Sequence, residues 1–436
     1  MFGKQDHLWG KMIISFTFLL LFVAGCSSEE TNKDNKSKDE SAEIVFWHYL
    51  NDRHDLLKGF AEDFEAETGT KVDVQLFGGD GFKQKIIAAA QTDSLPDLMT
   101  YSGGAGDLAQ LVETNSVLEL SKEMEDVLGN FPETLVKTFS FQEGNPFEVT
   151  NYGTYAIPMD ANNMQFIYNT DLFAKAGITE APKTWDEFID AIDKLNAASI
   201  TPFATGMGSW VIDPILNPYE LAFLGQDKLF KIKQGEEPVI GSDYIKVLEL
   251  FEELYEHDAF AEGIATMDLP AAEQMFVNGE VAMIFDGSWG IGVFNQMNPE
   301  FKNYDVFMPP VPSDAQYDIK ITGGIGVPLV VSNNTKHKEE TIEFVKYLVA
   351  KEQQETYAKE SFNLPANLEV AQSDDGMSSA LRNFSLGMEH VFESPGVYKN
   401  PNAATVLQKG IQLIVIGEAT PEEVLEDLAT EIKKGE

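Results

Sequence analysis

Two rhythms of apolar residues divide the chain into strands and helices. "AEIVFWHYL" at 42–50 gathers β-branched and aromatic residues and predicts a short strand. From Asp52 to Thr68 the apolar residues Leu56, Leu57, Phe60 and Phe64 recur every three to four positions, which predicts a helix, and Gly69 stops it. "TKVDVQL" then alternates Val72, Val74 and Leu76 with polar partners, the period of a half-buried strand. A helix over Phe82–Gln91 follows, and "SLPDLMTYSGG" reads as a turn feeding a short strand that ends on Tyr101. Strand, helix and strand in repeated order predict an α/β fold with a mainly parallel wound sheet and helices on its faces.

A second set opens near "YAIPMDANNMQFIYN" (155–169), where two short strands are expected to flank a polar bend. Thr184 and Glu187 in "TWDE" form a capping box for a helix running to about Ala198. "TPFATG" is the next strand; helices are expected over Asp243–His257 and Leu269–Asn278. "VAMIFDGSWG" (281–290) begins as a buried strand, and "ITGGIGVPLVVS" (321–332) is strand-like again. The remainder is mostly helical and ends with "TPEE", another capped start. No repeat of solenoid length is present.

The length, 436 residues, exceeds what one compact core usually holds, so two lobes are expected. The formal charge is −40, with 71 acidic against 31 basic residues. Such a surface repels nucleic acid phosphates and anionic headgroups, and no nucleic-acid partner is expected. A single cysteine, Cys26, forbids an intrachain disulfide. Lys4 and Lys11 precede an apolar run, Met12 to Gly25, too short to span a bilayer comfortably and suited to a secretory signal over 1–25. "VAGC" resembles the bacterial lipobox, which implies cleavage before Cys26 and acylation of that residue. Residues 26–42 carry no large apolar side chain and read as a disordered tether. As a flexible coil it reaches roughly 20–25 Å.

Several strands end in an aromatic ring set among small residues. Trp47 and Tyr49 follow "IVF", Tyr101 follows "DLM", Trp210 follows "FATGMGS" and Trp289 follows "AMIFDGS". Ligands of wound sheets sit beyond the carboxyl ends of the strands. A flat ring there suits the C–H face of a pyranose, whose rim of hydroxyls needs paired donors and acceptors. Asn51, Arg53, Asn162 and Asp286, at predicted strand ends or bends, could supply them. A lone Trp more often packs in a core. Trp185, at a capped helix start, is expected to staple that helix, and Asp97 to cap a turn; for Trp47 and Trp210 both readings stand; the Gly-Ser-Trp-Gly flank favours a platform at Trp289.

Other chemistry lacks its signature. The scattered histidines offer no zinc spacing, and no phosphate loop, six-residue dinucleotide pattern or Gly-x-Ser-x-Gly elbow occurs. No metal, cofactor or catalytic residue is therefore expected. Among 71 acids a chance carboxylate pair is nearly certain, so glycosidase chemistry stays open, without a local constellation to support it.

At this point the residues resemble a family. The lipobox, "IVFWHYL", "FAEDFEAETGTKVDV", "LPDLMT", "YAIPMDANNMQFIYNTDLFAKAGITEAPKTWDEF" and "FVNGEVAMIFDGSWG" stand in the order seen in extracellular solute-binding proteins of ABC sugar importers, the maltose-binding-like group. The resemblance implies two α/β lobes, 43–158 plus 313–361 and 159–312 plus 362–436, joined by crossings near Pro158–Asn162, Met308–Pro312 and Phe362–Ala366. It implies a ligand cleft between them, with Trp289 stacking on a sugar and Asn162, beside Asp160, bonding hydroxyls. Tyr101, the loop of Trp47, Tyr49 and Asn51, and Thr322 with Gly323 and Gly324 would line the cleft. The implied protein is a lipid-anchored monomer on the outer face of a bacterial membrane, handing a carbohydrate to permease subunits without catalysing a reaction. The same scaffold binding a polyamine or a polyol phosphate is the alternative, and a secreted glycoside hydrolase a third reading.

Overall fold

The computed structural model describes residues 42–78, 81–373, 377–392 and 396–435. The expected signal, Cys26 and nearly all of the tether lie outside the described residues. Strands β1 (Glu43–His48), β2 (Lys71–Leu76) and β3 (Leu98–Thr100) are parallel neighbours, with β1 in the middle. A two-residue hairpin, β4 (Ser140–Phe141) and β5 (Gly153–Thr154), stands apart from them. The strand β6 (Ile157–Asn169) is the longest. Beyond it come β7 (Thr201–Ala204), β8 (Val281–Gly287), β9 (Tyr304–Phe307), β10 (Gly323–Val331) and β11 (Leu364–Pro365). The sheet order is β2-β1-β3-β10-β6-β8-β7, with β9 and β11 also paired to β6. β7 and β8 are parallel, like the first three strands. The antiparallel pairs of this sheet all involve β6 or β10, the strands by which the chain returns between its two halves.

The sequence pattern predicts two strands around a polar bend at 155–169, and the structure replaces the bend with one continuous strand. The polar residues do not break it because they find partners inside. Asp160 accepts from Arg53 Nη1 at 2.7 Å, Asn163 Nδ2 donates to the Phe384 carbonyl at 2.7 Å, and Gln165 Nε2 donates to Asn163 Oδ1 at 2.8 Å. A buried polar group so bonded keeps the ladder intact, where an unbonded one would cost a few kcal/mol (~1–3). Residues 157–163 pair with β10 and β11, whereas 164–169 pair with β8 and β9. One strand thus serves both half-sheets.

Each half-sheet has its own aromatic packing. In the first, Phe46, Phe64 and Tyr347 surround Phe344 at 5.0–6.3 Å between ring centres. In the second, Phe166 lies 5.1–5.5 Å from the rings of Phe188, Phe203, Phe285 and Phe307. Helix His54–Thr68 turns Leu57, Phe60, Ala61 and Phe64 inward and ends at Gly69, whose φ of 80° suits a residue without Cβ. Trp185 opens helix Trp185–Ala197 under the Thr184–Glu187 capping box and donates from Nε1 to Glu253 at 2.7 Å, so it does fasten that helix. Asp97 accepts from the Val45 backbone and the Thr335 hydroxyl, tying β1 to the chain after β10. Among the described residues no helix is long and apolar enough to cross a membrane.

Candidate functional site

The opening strand delivers its residues to three different fates. Trp47 is half-buried, edge-on to Phe77 at 5.1 Å, and Lys85 Nζ stands 4.2 Å from both ring centres. One indole face is therefore engaged by a cation, while the indole N–H is buried without a partner. His48 is fully buried and accepts from the Leu50 N–H through Nδ1, so its Nε2 carries the proton donated to His54 Nδ1 at 3.0 Å. Burial, reinforced by His54 and Arg53, lowers its pKa to about 4. This pair braces the turn that carries Tyr49, half-buried against Phe82, and Asn51, which is exposed.

Arg53 turns inward instead. Its Nη1 donates to Asp160 Oδ2 and to the Tyr357 hydroxyl, both at 2.7 Å, and Tyr357 donates to the same Asp160 oxygen at 2.6 Å. Burial opposes the guanidinium charge, but Tyr357, Asp160 and Asp52 more than offset it and hold the group charged. The other Asp160 oxygen faces the backbone at Gly326, where a Cβ would lie 2.2 Å away and 3.3 Å from Asn162 Nδ2. Arg53 and Asp160 are thus a buried clamp between the turn after β1 and the strand β6. Asn162, two residues on, is half-buried and opposite Gly324 in the ladder. Gly323 and Gly324 are half-buried beside it, and Gly324 has a φ of 143°, which favours glycine. Tyr101 is buried rather than displayed: its ring folds over Gly103, where a Cβ would come within 2.8 Å of it, and meets Phe139 edge-on.

The turn after β8 explains the spacing of "DGSWG". The Trp289 indole lies across Gly287, where any Cβ would come within 2.2 Å of the ring. Gly290 leaves room for the Asp286 carboxyl, 2.4 Å from where its Cβ would be. Ser288 N–H bonds the Asn163 carbonyl at 2.9 Å, fastening the turn to β6. The result is a half-buried indole whose ring centre is 6.0 Å from that of Trp210, 53% exposed on the turn after β7. That second turn is also glycine-made, since Gly208 passes against the Thr266 backbone.

Asp286 sits beneath this platform, fully buried, accepting from the Gly287 N–H at 2.6 Å and facing Glu273 of helix Leu269–Val277. Burial pushes both carboxyls upward, Glu273 to about 7; the Glu273 charge adds to the rise at Asp286, whereas a hydrogen bond with Asp286 tempers the rise at Glu273. A carboxyl raised in the folded state binds its proton more tightly there than in the unfolded chain. Its stabilising contribution is full below about 4.5 and disappears as pH rises through about 7. Thermal melts are expected to fall by a few degrees between pH 5 and pH 8, and Glu273→Gln to flatten that slope; equal slopes in both proteins would contradict the pairing.

These positions form one connected line. Arg53 bonds Asp160, Asp160 and Asn162 face Gly326 and Gly324, and Asn163 holds the turn of Trp289, which meets Trp210. Of the eight buried side-chain atoms without a hydrogen-bond partner among the described residues, those of Trp47, Arg53, Tyr101, Asp160, Asp286 and Ser288 belong to this line or its flanks. The sequence reading misses Tyr357, Lys85 and Glu273, none of which has a local motif. A cavity of about 720 Å³ between β9 and helix Ser379–Gly387 contains none of the expected site residues.

Comparison with known proteins places the class. The family model of the bacterial extracellular solute-binding proteins matches residues 51–355, and the chain belongs to that family. The multiple sugar-binding protein of Streptococcus mutans is 22% identical over 356 residues, covering 79% of each chain. Among solved structures, a chitin oligosaccharide binding protein superposes with a TM-score of 0.71 at 22% identity, covering 91% of this chain and 99% of that one. RafE in complex with raffinose gives a TM-score of 0.71 at 20% identity, with 91% and 100% covered. The two-lobed α/β architecture is shared with these proteins.

Proposed function

We propose that the protein captures a carbohydrate between its two lobes and delivers it to the permease of an ABC importer, without catalysing a reaction. The observation that carries this reading is the indole pair. Trp210 and Trp289 are held out at the ends of parallel strands by glycine turns that leave no room for other side chains. Paired aromatic planes beside amides and open backbone suit the C–H faces and hydroxyl rims of sugars. The relatives named above, a multiple sugar-binding protein among them, support the same ligand class.

In this reading the lobes are 43–158 plus 313–361 and 159–312 plus 362–436, with crossings at Pro158–Asn162, Met308–Pro312 and Phe362–Ala366. The change of partners along β6, and the pairing of β11 with residues 160 and 161, support the first and third crossings. Trp210, Trp289, Asn51, Asn162, Gly323 and Gly324 contact the ligand; Tyr49 and the N–H edge of Trp47 close the far wall. Arg53, Asp160, Tyr101 and Asp286 hold those groups in place from behind. Contacts from both lobes favour a closed form, which the permease selects. A thermal-shift screen over sugars, polyamines and polyol phosphates tests the ligand class. A polyamine needs free carboxylates beside the indoles, whereas Asp160 is bound to Arg53 and Asp286 is buried against Glu273.

The amino-terminal sequence makes this a lipoprotein held at the outer face of the membrane through acylated Cys26, acting as a monomer. Cys26→Ala is expected to release at least nine-tenths of the protein from the membrane fraction into the medium or to leave it unprocessed. Unchanged fractionation with normal processing would contradict the anchor.

A further inference from the structure

Four carboxyl side chains are buried among the described residues: those of Asp160, Glu220, Glu273 and Asp286. Two of them have a cation. Arg53 stands 2.7 Å from Asp160, and Lys233 stands 3.1 Å from Glu220. Glu273 and Asp286 have only each other. The groups that act on them are the exposed Asp268 at the start of helix Leu269–Val277, the Gly287 N–H and the two carboxyls themselves; no lysine, arginine or histidine is among them. The elements packed around the pair add no charge. Strand β7 and helix Gly290–Met297 carry no ionisable residue, and β6 sets Gln165 opposite Asp286. Two buried carboxylates without a counter-charge do not both stay ionised. A hydrogen bond between two carboxyls also requires a proton on one of them, so the pair holds one proton in common.

Asp286 also grips both ends of the Trp289 turn. Its Oδ1 accepts from the Gly287 N–H at 2.6 Å, while Oδ2 fills the space beneath Gly290 and has no N–H or hydroxyl donor. The indole lies across Gly287, and the Trp289 carbonyl accepts from the Gly292 and Val293 N–H groups at the start of the helix that Gly290 opens. The turn therefore has no slack. A shift of the carboxyl is a shift of Gly287 or Gly290, and of the ring between them.

We propose that the Glu273–Asp286 pair is a proton switch for the Trp289 platform: while the pair keeps its proton the indole is set to receive ligand, and when the proton leaves, repulsion drives Asp286 against Gly290 and displaces the ring, so that affinity falls as the solution turns alkaline. Burial lifts Glu273 to about 7, so the proton is held in acid and lost as the pH rises from about 6 to about 8. Two other shifted groups near the site titrate outside that window, His48 at about 4 and Tyr49 at about 12. The switch rests on Trp289 contacting the ligand, as read above, and not on the ligand being a sugar.

Indole emission of the ligand-free protein, recorded from about pH 5.5 to about pH 9, tests it. A transition with its midpoint between about pH 6 and about pH 8 is expected, smaller in Trp289→Phe. It should be absent in Glu273→Gln, whose amide donates to Asp286 at every pH, and in Asp286→Asn, which leaves one carboxyl and no repulsion. Titration calorimetry with raffinose, maltotriose and the N-acetylglucosamine trimer supplies the binding arm. The sugar that binds should do so at least tenfold more weakly at about pH 8.5 than at about pH 6 in the unaltered protein, and within about twofold in Glu273→Gln. No transition in the ligand-free protein, or the same midpoint in Glu273→Gln and Asp286→Asn, overturns the switch. Equal affinity at the two pH values overturns its link to binding. If none of the three sugars binds, the carbohydrate reading fails on its own, and the emission titration still decides the switch.

Discussion

Replacing Arg53 with methionine is expected to destabilise the protein by about 3–5 kcal/mol, the usual cost of leaving one partner of a buried ion pair alone. The guanidinium is 9% exposed and its bonds to Asp160 and Tyr357 close a triangle of side chains from three separate parts of the chain. Without it, Asp160 keeps one hydroxyl donor and no counter-charge, inside a strand that belongs to both half-sheets. The double variant Arg53→Met, Asp160→Asn leaves no charge unpaired and should recover at least half of the loss. Urea unfolding followed by indole fluorescence measures both. A loss under about 1 kcal/mol for the single variant would show that the clamp is not what holds the turn after β1 to β6.

The second large effect is on binding. Trp289→Ala is expected to weaken sugar binding at least tenfold, roughly 1.4 kcal/mol or more, while leaving the fold intact. The ring is half-buried at a turn, so its removal opens a surface notch rather than an internal cavity. Gly287→Ala should produce a comparable loss with the indole still present, because a methyl there would strike the ring and displace it. Trp210→Ala should cost less, since that ring is half exposed, and the double variant should lose less than the sum because the two rings are in contact. Unchanged affinity in Trp289→Ala would remove the indole from the site.

The parts of the fold governed by local pattern were legible in the sequence. The helix of Leu57, Phe60 and Phe64, the capped starts at Thr184 and Thr420, and the strand Val281–Gly287 follow from spacing and cap chemistry alone. The continuous strand β6 was not, because its polar residues are paired by Arg53, Phe384 and Tyr357, more than a hundred residues away. The same distance hides the division of labour in the site. Asp286 and Trp289 share one motif, but glycine geometry sends the carboxyl down to Glu273 and the ring outward. Tyr101 was expected in the cleft wall, and only its contact over Gly103 shows it packed in the first half-sheet. Trp47 ends a strand as Trp289 does but lacks its glycine flank, and the sequence left both readings open; in the structure Lys85 covers one of its faces.

The most direct test of the account follows indole emission while raffinose, maltotriose and the N-acetylglucosamine trimer are titrated into the purified protein. Emission should change saturably with at least one of them, and at least tenfold more of that sugar should be needed in Trp289→Ala. If none of these sugars alters emission or melting, while a polyamine or a polyol phosphate does, the indole pair serves another ligand and the account is wrong.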